Sequence, residues 1–98
     1  MKKIESNPVV KRKRVMFSLQ TTDAKEVFLA GDFNDWNPKT HPLKNDGSGI
    51  WKKAVMLFPE KYEYKFLVDG DWREDPRNDQ TCLNCFGTEN SILCVTAP

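Results

Sequence analysis

The chain has 98 residues, of which 39% are hydrophobic and 30% are charged, a balance typical of a single small globular domain. It has no apolar run long enough to span a membrane and no apolar stretch of a secretion signal near its start, so we expect a cytoplasmic protein without membrane association. The net charge of +1 is unevenly placed, because six Lys and Arg residues and a single acid fall within residues 1–14.

This basic start predicts a partly ordered tail over residues 1–12, followed by one domain over residues 13–98. A cluster this short is a weak basis for nucleic-acid binding, which needs a basic patch across a folded surface. We therefore expect no nucleic-acid partner.

Alternating and β-branched runs predict short strands, which in chain order cover residues 14–20, 26–31, 50–57, 62–68, 72–74 and 91–96. Polar segments rich in Gly, Pro, Asn and Asp separate them, and the longest of these predicted loops are residues 32–42 and 75–90. No segment has a sustained helical period. The pattern predicts an all-β fold, an immunoglobulin-like antiparallel β-sandwich of about seven strands, with a small barrel as the competing architecture.

The stretch around Asp69-Gly70 predicts where Trp72 points. Residues 62, 64, 66 and 68 are Tyr, Tyr, Phe and Val, so this alternating row forms the core face. If Asp69-Gly70 is a two-residue hairpin turn, Trp72 lies opposite Leu67 and emerges on the other face, diagonal to Lys65. The sequence therefore predicts an exposed indole beside a cation, although a simple surface contact with Leu67 is the alternative.

An exposed indole offers a flat apolar surface, which suits the C–H face of a sugar ring, with Lys65 and amide side chains available for its hydroxyls. A nucleobase could stack there as well, but Asp69, Asp71 and nearby acids disfavour a phosphate backbone. The residues thus favour a neutral carbohydrate ligand.

Three segments then carry a resemblance to a known family: "VFLAGDFNDWNP", "YEYKFLVDGDWREDP" and "FGTENSIL". In this order and spacing they resemble the glycogen-binding domain of the beta subunit of AMP-activated protein kinase, one of a wider group of carbohydrate-binding modules. The resemblance covers roughly residues 13–96. It implies an immunoglobulin-like sandwich that binds alpha-1,4-linked glucans such as glycogen, as polysaccharide or oligosaccharide.

The resemblance also implies six carbohydrate-binding residues. Two tryptophans would be stacking platforms, one lysine, one threonine and one asparagine would bond sugar hydroxyls, and one further side chain would project against the glucan: Trp36, Trp72, Lys65, Thr88, Asn90 and Phe86. The family has leucine at the position of Phe86, so this chain departs from the pattern there. Kinase assembly is not expected of these residues, because in beta subunits a further C-terminal segment serves it and the resemblance covers only this domain.

Neither a cofactor, a metal site nor a catalytic site is expected. Three cysteines and a single histidine make a zinc site or disulfide framework a minor alternative to ordinary thiols. A glycosidase would need paired carboxylates, for which Asp71 and Glu74 are candidates, but a hairpin tip does not enclose them. The other alternative is a protein-interaction module whose aromatic face docks a glucan-metabolising enzyme or kinase partner.

Overall fold

The computed structural model of the chain describes residues 11–96. Those residues form eight strands and one 3-10 turn, in the order β1 Lys13–Gln20, β2 Val27–Gly31, 3-10 turn Asp32–Asn34, β3 Lys44–Asn45, β4 Ile50–Leu57, β5 Lys61–Val68, β6 Asp71–Arg73, β7 Thr81–Leu83 and β8 Glu89–Cys94. Most of the predicted basic tail, residues 1–12, lies outside the described range, and the boundaries of the predicted domain stay a prediction.

Two antiparallel sheets make up the described part of the chain. The first has the strand order β1-β4-β3, and the second has the order β2-β5-β8-β7, with β6 also paired to β5. Every pairing between these strands is antiparallel, and β5 is the central strand of the second sheet. The predicted all-β immunoglobulin-like sandwich is thereby confirmed.

The core lies between the sheets and follows from period-two alternation along each strand. In β5 the row from Tyr62 to Val68 is buried as predicted, and Phe66 is fully inaccessible. From the opposite sheet Phe17 meets Tyr64 edge-to-face, with ring centroids 5.1 Å apart. Trp51 is also buried, and its Nε1 donates to the carbonyl of Thr21 at 3.2 Å.

The β5–β6 hairpin has the predicted register, with Leu67 opposite Trp72 and Val68 opposite Asp71. Both turn residues have positive φ, 48° at Asp69 and 88° at Gly70, as expected of Asp-Gly in a two-residue turn. The Asp69 carboxylate also accepts backbone N–H groups of Lys25 and Glu26, which ties the hairpin tip to the loop before β2.

The structure differs from the sequence prediction mainly at short strands. β3 and β7 both lie outside the predicted strands, and β8 begins at Glu89 rather than Ser91. β7 has no buried alternating row, so its extended form comes from pairing with β8, which a local pattern does not reveal. Within residues 11–96 no helix is long or apolar enough to cross a bilayer.

Candidate functional site

The outer face of the five-stranded sheet presents Trp72 as predicted. The side chain is 48% exposed and its strand, β6, is exposed at all three positions. Among residues 11–96 the one helical segment is the 3-10 turn, so no helix covers this face. Trp72 is paired with Leu67 across the hairpin, and about half of its surface stays accessible.

Trp36 reaches the same face from the loop after β2. Asp35 and Trp36 both have left-handed backbones, with φ of 54° and 58°, which is unusual for a large side chain and costs conformational energy. Hydrogen bonds maintain this conformation: the Trp36 amide donates to the carbonyl of Gly31 at 2.9 Å, and its indole Nε1 donates to Asp32 at 3.0 Å. The other oxygen of Asp32 accepts the Glu63 amide of β5.

Asn34 organises the rest of this loop. Its Oδ1 accepts the Gly31 amide at 3.0 Å, while its Nδ2 lies within hydrogen-bond distance of the Leu29 carbonyl and of His41 Nδ1. Partial burial, and more weakly the charge of Lys53, lower the pKa of His41, which favours the neutral ring beside Asn34. The strained segment that carries Trp36 is thus supported on both sides.

The half-buried indole of Trp36 and the exposed indole of Trp72 are brought together. The ring centroids of Trp36 and Trp72 are 6.5 Å apart, and the ring planes are inclined by 66°. The pair comes from separate parts of the chain, the loop after β2 and the β5–β6 hairpin. Together they form an angled aromatic surface, not a flat one.

Lys65 lies on the same face in the middle of β5 but is only 7% exposed. Its Nζ donates to Thr88 Oγ1 at 3.2 Å, and among residues 11–96 no carboxylate forms a salt bridge with it. An ammonium group has three donors, so Lys65 keeps donor capacity beyond the bond to Thr88. Buried lysines usually pair with an acidic residue. No acidic residue pairs with Lys65 among residues 11–96, so its ammonium group is available to a ligand.

The loop between β7 and β8 supplies the remaining predicted residues. Phe86 stands out from it, 86% exposed, and Thr88 is exposed beside Lys65. Asn90 is instead buried, 7% exposed, with its Nδ2 donating to Glu63 and its Oδ1 accepting from Asn84. The bond from Asn90, followed by one from the Cys82 thiol, lowers the pKa of Glu63, and Glu63 in turn raises the pKa of Cys82.

The structure therefore brings five of the six predicted side chains to one face, while Phe86 stands out from the adjoining loop. Trp36 contacts Trp72, and Lys65 contacts Thr88. Asn90 lies behind Thr88 through Asn84, and the Phe86 side chain is almost wholly solvent-exposed. Sequence reasoning missed Asp32 and Asn84. Asn84 has a recognisable signal, because an asparagine two residues before a loop amide often forms an Asx turn.

The sequence offers two further candidate sites, an acid pair for hydrolysis and the cysteines for metal binding. Asp71 and Glu74 are both exposed. The three cysteines are free thiols, and among residues 11–96 no three His, Cys, Asp or Glu side chains gather into a group that could hold a metal ion.

Residues 14–98 match the family model described as the glycogen recognition site of AMP-activated protein kinase. The chain belongs to this family. The resemblance found in the sequence segments is therefore confirmed, and the site described above lies on a glycogen-recognition module.

Relatives of this module include plant and animal proteins. It is 33% identical over 92 residues to the chloroplastic Protein FLOURY ENDOSPERM 6 of Oryza sativa subsp. japonica, covering 94% of this chain and 17% of the relative. It is 36% identical over 73 residues to the chloroplastic Protein PTST homolog 2 of Arabidopsis thaliana, covering 74% and 13%. It is also 36% identical over 72 residues to human 5'-AMP-activated protein kinase subunit beta-2, covering 72% and 25%.

The module thus spans a quarter or less of the length of these relatives. The comparisons also correct one prediction. The expected cytoplasmic location is wrong, because two of the matched relatives are chloroplastic proteins. That prediction relied only on the lack of a visible targeting segment, which gives no positive information about a compartment.

Proposed function

We propose that this module binds alpha-1,4-linked glucans of the glycogen and starch type on the outer face of the five-stranded sheet. Trp36 and Trp72 stack against sugar rings, and Lys65 and Thr88 form hydrogen bonds with sugar hydroxyls. Phe86 lies alongside the glucan. The observation that carries the proposal is the angled pair of accessible indoles, 6.5 Å between centroids, beside a covered lysine that lacks an acidic partner in the described residues.

The inclination of the two indoles favours a curved ligand. Successive rings of an alpha-1,4-linked glucan turn relative to one another, whereas a beta-1,4-linked glucan is a flat ribbon that suits coplanar platforms. Planes inclined by 66° offer faces to two differently oriented sugar rings. We therefore expect the module to prefer alpha-linked over beta-linked oligosaccharides.

Asn90 has a more limited part in this proposal than Thr88. Both of its amide groups already have protein partners, which leaves it one free donor and one free acceptor position. With 7% of the residue exposed, Asn90 contacts the glucan at the floor of the site.

Calorimetric titration with maltoheptaose tests the proposal. Two platforms and a few hydrogen bonds to a well-hydrated, flexible chain give a dissociation constant of roughly 1 μM to 1 mM. Trp72→Ala should abolish the heat of binding, while Met56→Ala, which removes a half-exposed side chain from the other sheet, should leave it unchanged. Cellohexaose is the beta-linked control. A folded wild-type sample that gives no response at millimolar maltoheptaose would refute the proposal.

We also propose that binding is the module's only activity on the glucan. Hydrolysis needs a carboxyl held protonated in an enclosed site, and the candidate acids Asp71 and Glu74 are both exposed. New reducing ends appearing during incubation with maltoheptaose, and disappearing in Glu74→Gln, would show catalysis and contradict this.

Docking of a protein partner is the alternative function. What favours it is that one group of relatives is named as subunits of a kinase, and a tryptophan pair also suits a protein interface. The two functions separate experimentally. If the partner binds another surface, Trp72→Ala should lose sugar binding and still bind the partner. If the tryptophan face serves only for docking, the wild-type module should give no heat of binding with maltoheptaose.

A further inference from the structure

Five side chains at the site form one continuous chain of hydrogen bonds, from Glu63 through Asn90, Asn84 and Thr88 to Lys65. Asn90 Nδ2 donates to Glu63 at 3.0 Å, and Asn84 Nδ2 donates to Asn90 Oδ1 at 2.9 Å. Thr88 Oγ1 then accepts from Asn84 Nδ2 at 2.7 Å and from Lys65 Nζ at 3.2 Å. Asn84 is the central member, and the family resemblance assigns no role to it.

The direction of every bond in this chain is determined at its two ends. An ionised Glu63 can only accept, so Asn90 must turn its amide nitrogen to Glu63 and its oxygen to Asn84. At the other end, Asn84 Oδ1 accepts the backbone amides of Phe86 and Thr88, at 2.9 and 3.2 Å, and these groups can only donate. The nitrogen of Asn84 therefore faces Asn90 and Thr88.

These hydrogen-bond directions determine which way the Thr88 hydroxyl proton points. A hydroxyl oxygen accepts two hydrogen bonds and donates one, and both accepting positions of Thr88 are filled by Asn84 and Lys65. Its proton then points away from both donors, and Thr88 is an exposed residue at the edge of the site. Thr88 can only donate to an incoming molecule.

We propose that Asn84 is a positioning residue that makes the Thr88 hydroxyl an obligatory donor toward the glucan. This inference depends on the proposed function and specifies its chemistry: the sugar atom opposite Thr88 is an acceptor, a hydroxyl, ring or glycosidic oxygen. Asn84 also shapes the loop that carries Phe86, because its carbonyl side accepts two backbone amides of that loop.

The deciding variant is Asn84→Asp, which keeps the shape and the oxygen that holds the loop amides. Its second oxygen replaces the amide nitrogen and can only accept, so Thr88 turns its proton inward and Asn90 Oδ1 loses its donor. We expect maltoheptaose to bind at least about three- to tenfold more weakly, since the bond from Thr88 to the sugar alone is worth one neutral hydrogen bond. Thr88→Val should lose a similar factor, and Thr88→Ser should bind within about twofold of wild type because it keeps the hydroxyl.

A double-mutant cycle separates positioning from general loss of structure. If Asn84 acts through the Thr88 proton, the loss of affinity in the double variant Asn84→Asp/Thr88→Val is clearly smaller than the sum of the two single losses, because the bond from Thr88 to the sugar is lost only once. Additive losses would overturn the inference, as would wild-type affinity in Asn84→Asp. Asn84→Ala is the second variant if the aspartate does not fold. It removes the donor that fills one accepting position of Thr88 and the acceptor of two loop amides, so it should also bind more weakly, and unchanged affinity there would overturn the inference too.

Failure of this inference differs from failure of the proposed function. A wild-type chain that does not bind maltoheptaose refutes the function itself. A chain that binds it, and loses binding in Trp72→Ala but not in Asn84→Asp, retains the function and refutes only the role of Asn84.

Discussion

Gly31 connects the fold to the site, and replacing it with alanine tests that connection. Its φ is −174°, an extended backbone that any residue can adopt, so the need for glycine there is spatial. A Cβ at this position would lie 2.6 Å from the carbonyl oxygen of Glu63, 2.8 Å from Cε2 of Phe33 and 2.9 Å from Cβ of Tyr64. All three distances are shorter than ordinary carbon contacts.

The expected cost follows from which atoms are in the way. The Glu63 oxygen is backbone and Tyr64 Cβ is fixed to its strand, so neither can turn aside, and β2 must move away from β5. Overpacking of this kind costs about 1–3 kcal/mol, and we expect about 2–3 kcal/mol here. In a domain of this size that lowers Tm by about 10–20 °C.

Gly31 also holds the Trp36 loop, because its carbonyl accepts the Trp36 amide and its amide donates to Asn34. Gly31→Ala should therefore weaken maltoheptaose binding at temperatures where the variant is still folded. Thermal unfolding by circular dichroism and calorimetric titration measure the two effects.

Gly47→Ala is the matched control, since Gly47 has a φ of +95° with no atom near the added Cβ. It should cost about 1–2 kcal/mol from backbone strain alone and leave binding unchanged. The steric argument fails if Gly31→Ala melts no lower than Gly47→Ala.

Two further predictions concern stability. Phe66→Ala removes a fully buried ring and should lower the free energy of unfolding, measured in urea, by about 3–5 kcal/mol. Trp72→Ala removes a side chain that is 48% exposed and should lower it by less than about 2 kcal/mol. Equal losses would assign Trp72 to the core. The bond from Asn90 lowers the pKa of Glu63, so its stabilisation is present above the ordinary glutamate pKa of about 4.3 and is lost as pH falls through the lower folded value. Glu63→Gln should remove this part of the pH dependence, and a stability difference from wild type that stays constant from about pH 6 to 3 would contradict it.

Much of the five-stranded sheet was predictable because alternation and turn chemistry act locally. Tyr62 to Val68 fixed the buried face of β5, and Asp69-Gly70 fixed the hairpin register, so the exposure of Trp72 followed without any knowledge of a family.

The rest of the site depends on longer-range contacts that no local pattern contains. The meeting of Trp36 with Trp72 requires left-handed backbones at Asp35 and Trp36, stabilised by a bond to Asp32. Lys65 was expected as an available donor, but its burial depends on the loop before β8, whose shape Asn84 determines through bonds to both backbone and side chains. The position of Trp36 was inferred from the resemblance alone, because spacing could not bring it near the hairpin.

The burial of Trp51 has a practical consequence. Two of the three tryptophans lie on the outer face of the five-stranded sheet, while Trp51 is enclosed between the sheets with its indole proton bonded to Thr21. The tryptophan fluorescence of this protein therefore has two separable components, one from Trp36 and Trp72 and one from Trp51. An aqueous quencher should dim the outer rings and spare Trp51, and bound sugar should shield the outer rings in turn, so that occupancy and unfolding can be followed in one cuvette without a dye.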